Sequence, residues 1–66
     1  MEFEIVFDRD EGGRWIAEIE SLPGVLAYGA TQTKARSKVE ALALRVIADR
    51  IELDRSAPDQ VRFAVA

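Results

Sequence analysis

Residues 14–31 read Arg14-Trp15-Ile16-Ala17-Glu18-Ile19-Glu20-Ser21-Leu22-Pro23-Gly24-Val25-Leu26-Ala27-Tyr28-Gly29-Ala30-Thr31. Trp15, Ala17 and Ile19 alternate with Ile16, Glu18 and Glu20, the period-two pattern of a half-buried strand. Leu22-Pro23-Gly24 then predicts a type II turn, because proline presets the backbone at the second position and glycine accepts the positive φ of the third. Residues 25–28 form a short β-prone run that Gly29 ends, and Thr31 offers an N-cap hydroxyl to the longest periodic segment of the chain. Strand, turn, strand and helix start thus follow one another within 18 residues, and the remaining segments must pair with this unit or pack on it.

Upstream, residues 2–9 alternate cleanly. Phe3, Ile5 and Phe7 point one way, and Glu2, Glu4 and Val6 the other. Asp10-Glu11-Gly12-Gly13 closes a hairpin, so Phe3, Ile5 and Phe7 share a core face with Trp15, Ala17 and Ile19. The opposite face carries Glu2, Glu4, Glu18 and Glu20 around Val6 and Ile16. Its plain reading is a solvated sheet face. Its functional reading is a docking surface for a basic partner, apolar at the centre and acidic around it.

Downstream, residues 32–53 predict a helix in which Ala35, Val39, Leu42, Val46 and Ile47 form the stripe that packs on the sheet. Lys34, Lys38, Arg45, Asp49 and Glu52 face solvent. Lys34 occupies the position where a capping box has Glu or Gln, at a cost of about a few tenths of a kcal/mol. Ala41, Leu44, Ala48 and Ile51 form a second apolar line. That line is open to two readings, a self-association surface or a part of the monomer core beneath the C-terminal segment. Pro58 stops the helix from continuing, and residues 61–65 alternate again with Val61, Phe63 and Val65 inward. The expected fold is α+β, ordered β-β-β-α-β, a four-stranded mixed sheet with one helix on one face and the last strand parallel to the first.

Composition narrows the chemistry. At 66 residues the chain is one small domain, and such a domain buries only about 60% of the surface its unfolded form exposes. Neither cysteine nor histidine is present. Disulfides, thiolate nucleophiles and the commonest transition-metal ligands are therefore excluded. Small scaffolds without such staples often gain stability by assembling, so a homodimer or larger oligomer is expected. Nine basic against twelve acidic residues give a net charge of −3, the wrong sign for dominant phosphate-backbone binding and a suitable one for a basic protein partner. There is no P-loop, dinucleotide turn, nucleophile elbow or metal-ligand spacing, so no catalytic, cofactor or metal site is expected. Trp15 and Tyr28 read as core and rim rather than as stacking platforms. With neither a membrane-length apolar run nor a signal-peptide pattern, the expected address is the cytoplasm.

Gly13-Arg14-Trp15-Ile16-Ala17-Glu18-Ile19, then Leu22-Pro23-Gly24 and Tyr28-Gly29-Ala30-Thr31, with Ala35 and Val39-Glu40-Ala41-Leu42 on the helix, resemble the signature of the HicB-like antitoxin family. The resemblance runs from the first strand through the helix. It implies a partial ribonuclease-H-like fold without the nuclease carboxylates. It also implies a small, basic HicA-type toxin that cleaves mRNA as the partner to be bound and neutralised. Many relatives carry a C-terminal DNA-binding module. The sequence ends after the expected last strand, so direct DNA binding is not expected. Lys34, where the family commonly has an acidic residue, is a second departure. The alternative reading is an orphan structural or small-ligand-binding oligomeric domain that shares the fold and has no toxin partner.

Overall fold

The computed structural model describes all 66 residues. Strands β1 (Glu2–Arg9), β2 (Trp15–Glu18), β3 (Leu26–Gly29) and β4 (Arg62–Val65) form one sheet, with helix α1 (Gln32–Asp54) between β3 and β4. The strand order is β3-β2-β1-β4. The β1–β2 and β2–β3 pairs are antiparallel, and β1–β4 is parallel. The expected α+β architecture is the one observed.

Each connection has a local cause. In the first hairpin Gly13 N–H donates to Asp10 O and Asp10 N–H to Arg14 O, both at 3.0 Å, and Gly13 takes φ +82°. A side-chain clasp adds to this. Arg14 N–H donates to Asp10 Oδ1 at 2.9 Å and Arg14 Nε to Asp10 Oδ2 at 2.8 Å. The Arg14 backbone donor, aided by its guanidinium, holds the Asp10 carboxyl below its usual range.

β2 is shorter than its alternation suggests. After Glu18 the chain makes two consecutive turns, with Leu22 N–H donating to Ile19 O and Val25 N–H to Leu22 O, each at 3.0 Å. Gly24, the third residue of the second turn, has φ +82°, the conformation a type II turn requires there. Ile19 N–H also reaches Val25 O at 3.1 Å, so the two turns bring the chain straight back alongside β2.

Thr31 is the N-cap of α1, its Oγ1 accepting from Lys34 N–H at 3.1 Å. At the other end Arg55 adopts φ 54° and donates its N–H to Ile51 O at 2.8 Å, which closes the last turn.

The core joins Phe3, Ile5, Ala17, Ile19, Leu22 and Val25 to Ala35, Val39, Ala43 and Ile47 of the helix. Ala43 takes a central place that periodicity assigned to Leu42 and Val46, both of which are only half-buried. The reason is proximity. α1 packs directly on β3 and β2, and that contact carries, between the larger Ile19, Val39 and Ile47, a set of small inward residues: Ala17, Ala27 and Gly29 on the strands, Ala35 and Ala43 on the helix. A Cβ on Gly29 would lie 2.9 Å from the Lys34 carbonyl carbon, so only glycine admits the first turn of the helix this close.

Four strands about 4.8 Å apart span more than one helix about 10 Å wide can cover. α1 sits over the β2–β3 half and its cover reaches Phe3 and Ile5 of β1, which are buried, so that β4 is the strand left partly open. Phe63 stacks on Phe3 with ring centroids 5.8 Å apart and is half-buried. Val65 shares its face but is 49% exposed. The expectation that Val65 packs inward therefore holds for its direction and fails for its burial, since an open cleft separates it from Gln32, Thr33 and Arg36 at the start of α1. The 23-residue helix also outruns the four-residue strands beneath it, and Leu53 in its final turn is 83% exposed. No helix of the chain is long and apolar enough to cross a membrane.

Candidate functional site

The other face of the sheet is bare. No helix or loop of the chain lies across it, and it carries every residue that the sequence assigned to partner binding. The strand registers set their geometry. Leu26, Glu18 and Val6 lie opposite one another in one row across β3, β2 and β1, and Tyr28, Ile16 and Asp8 make the next. Farther along, Glu4 lies opposite Ala64 and Glu2 opposite Arg62 of β4.

Ile16 is half-buried by its neighbours, while Val6, Leu26 and Tyr28 are between 37% and 41% exposed. These four make an apolar centre crossing three strands, interrupted only by Glu18. Glu2, Glu4 and Glu20 then gather at one end, where with Val6 and Ser21 they line a shallow depression of about 480 Å³. Of these carboxylates only Glu2 has a cationic neighbour, Arg62 at a long 3.9 Å. The remaining acid at this end has no counter-charge within the chain. The opposite end is aromatic, with the Arg14 guanidinium, itself paired with Asp10, 4.5 Å above the Tyr28 ring.

The sequence reading identified six residues of this face and missed Leu26, Tyr28 and Ser21. The usual rule puts the larger apolar residues of a strand inside, but in β3 Ala27 and Gly29 face the helix and Leu26 and Tyr28 face out. The signal was present in the antiparallel register, which puts Tyr28 beside Ile16 once the turn at Leu22-Pro23-Gly24-Val25 is in place.

The self-association residues lie elsewhere. Ala41, Leu44 and Ala48 are exposed on α1, whereas Ile51 packs partly against the core. Chemically, the bare sheet face offers apolar area with an acidic end. No group of three or more acidic side chains converges in the geometry of a metal site. The chain matches no protein-family model, and no significant match to it is found among curated proteins or solved structures.

Proposed function

We propose that this chain is a protein-binding module whose bare sheet face docks a small basic protein, and that it neutralises that partner as HicB-like antitoxins neutralise HicA-type mRNA-cleaving toxins. The observation that carries the reading is the apolar centre of exposed Val6, Leu26 and Tyr28 around half-buried Ile16, with the Glu4 and Glu20 carboxylates beside it and no ion pair to either. An apolar centre supplies the area that a stable contact needs, and the carboxylates select cationic partners and speed their encounter. The HicB-like resemblance names the class of partner. In this reading the chain acts by occlusion, without catalysis or a cofactor of its own, and does so in the cytoplasm.

The test is a titration against a small basic HicA-type toxin, taken from a reading frame beside this one where such a frame exists, with RNA cleavage by that toxin followed in parallel. Tight binding with loss of cleavage is the expected result. Glu18→Lys with Glu20→Lys should then weaken binding by at least about tenfold, chiefly through a slower and less salt-dependent association. Unchanged affinity in that variant would remove this face from the reading. Absence of binding by the unaltered chain would remove the antitoxin function itself and leave an orphan domain.

A further inference from the structure

The exposed line on α1 is longer than its four apolar residues. Thr33, Ser37, Ala41, Leu44, Ala48 and Ile51 succeed one another at spacings of four, four, three, four and three, which keeps them on one side of the helix. No charged side chain lies within this line. It points largely away from the sheet, and its first residue, Thr33, borders the cleft formed with Phe7 and Val65 over β1 and β4. Leu44 at its centre is 47% exposed. Small residues at this spacing let two helix backbones approach closely, which is the requirement for helix pairing.

Charge says what kind of helix would fit. The first turn of α1 contains no acidic residue and the last turn no basic one, the reverse of what the helix dipole favours. From Gln32 to Ala43 there are three basic side chains and one acidic; from Leu44 to Asp54 there are two basic and three acidic. A helix that starts basic and ends acidic is complementary to a copy of itself running the other way.

We propose that α1 pairs antiparallel with α1 of a second copy of this chain, with Ser37 opposite Ala48 and Ala41 opposite Leu44. This register brings Lys34 alongside Glu52 of the second copy and sets each dipole against its opposite. Its one like-charged approach is Lys38 toward Arg45 of the second copy, and both side chains are long and exposed enough to splay into solvent. Two helix faces about 34 Å long and 10 Å wide bury about 700 Å², which places the pair in the weak, concentration-dependent class. The seam lies on the helix side of the sheet, so the dimer presents two bare sheet faces to partners at once.

Sedimentation of the full chain over a concentration series tests the pairing. The mass should rise from one chain to two, and Leu44→Glu should hold it at one chain with the helical circular dichroism unchanged. A single-chain mass up to millimolar concentration would overturn the proposal. The native chain has no cysteine, so the register can be read by oxidation. Ser37→Cys combined with Ala48→Cys should give a covalent dimer in high yield, while Ser37→Cys alone should not, because the two copies of position 37 sit at opposite ends of the seam. Efficient crosslinking by Ser37→Cys alone, or none by the pair in a chain that sediments as a dimer, would overturn the antiparallel seam. Lys34→Glu and Glu52→Lys should each weaken dimerisation severalfold, and their combination should restore it; failure of the combination to recover would remove that charge pair from the seam.

Discussion

The β2–β3 half of the sheet and the β1–β4 half follow the same alternation, yet the second is sealed only as far as β1, where Phe3 and Ile5 are buried. Under α1, the inward residues Ala17 and Ile19 are completely buried, as are Ala35 and Val39 on the helix. On β4, Phe63 keeps part of its ring accessible and Val65 is half exposed, although valine is no less apolar than the alanines that are buried. Hydrophobicity sets which way a side chain points, and the position of the single helix sets whether that direction leads to a core. The small residues mark where helix and sheet meet, and the larger exposed ones mark where nothing meets them.

That contrast can be broken by truncation. Ile19→Ala, on the sealed half, should cost about 3 kcal/mol, since deleting a fully buried branched side chain loses both transfer energy and packing. A domain of this length has only about 3–10 kcal/mol in total, so the urea midpoint should fall steeply at an unchanged slope. Val65→Ala, on the open strand β4, should cost less than about 0.5 kcal/mol by the same measurement. Comparable losses at the two positions would mean that β4 is covered in solution, as partial closure of the cleft by a neighbouring chain would require.

The smallest effect concerns the hairpin that joins the two halves. Because Arg14 depresses the Asp10 carboxyl, the folded protein holds that proton less tightly than the unfolded chain does. The resulting stabilisation is complete above the ordinary value of 3.8 and is lost as pH falls below it toward the depressed value. Asp10→Asn should therefore flatten the acid limb of the stability curve below about pH 4 while leaving its slope near neutrality unchanged. An unaltered acid limb would show that the clasp does not distinguish folded from unfolded chains.

Much of this molecule is legible in the order of its residues, for local reasons. The turn at Leu22-Pro23-Gly24-Val25 needs only a preset φ followed by a positive one, and Gly24 supplies φ +82°. The start of the helix needs only an acceptor at Thr31, and the strands need only their alternation. The six polar and apolar residues assigned to the bare sheet face fall together because that face is the other half of the same alternation. What was missed depends on distances between elements. Ala43 outranks Leu42 in the core, and Leu26 and Tyr28 turn outward, because the helix approaches β3 so closely that only Gly29 fits beneath its first turn.

The sequence by itself determines element order, strand direction and which side of each strand faces inward, since these follow from dihedral preference and period. Only the tertiary structure decides that the one helix seals the sheet as far as β1 and leaves β4 open. That choice depends on packing small residues against small residues across the sheet, a relation between segments distant in sequence. From it follow both the bare acidic face and the unpaired side of α1.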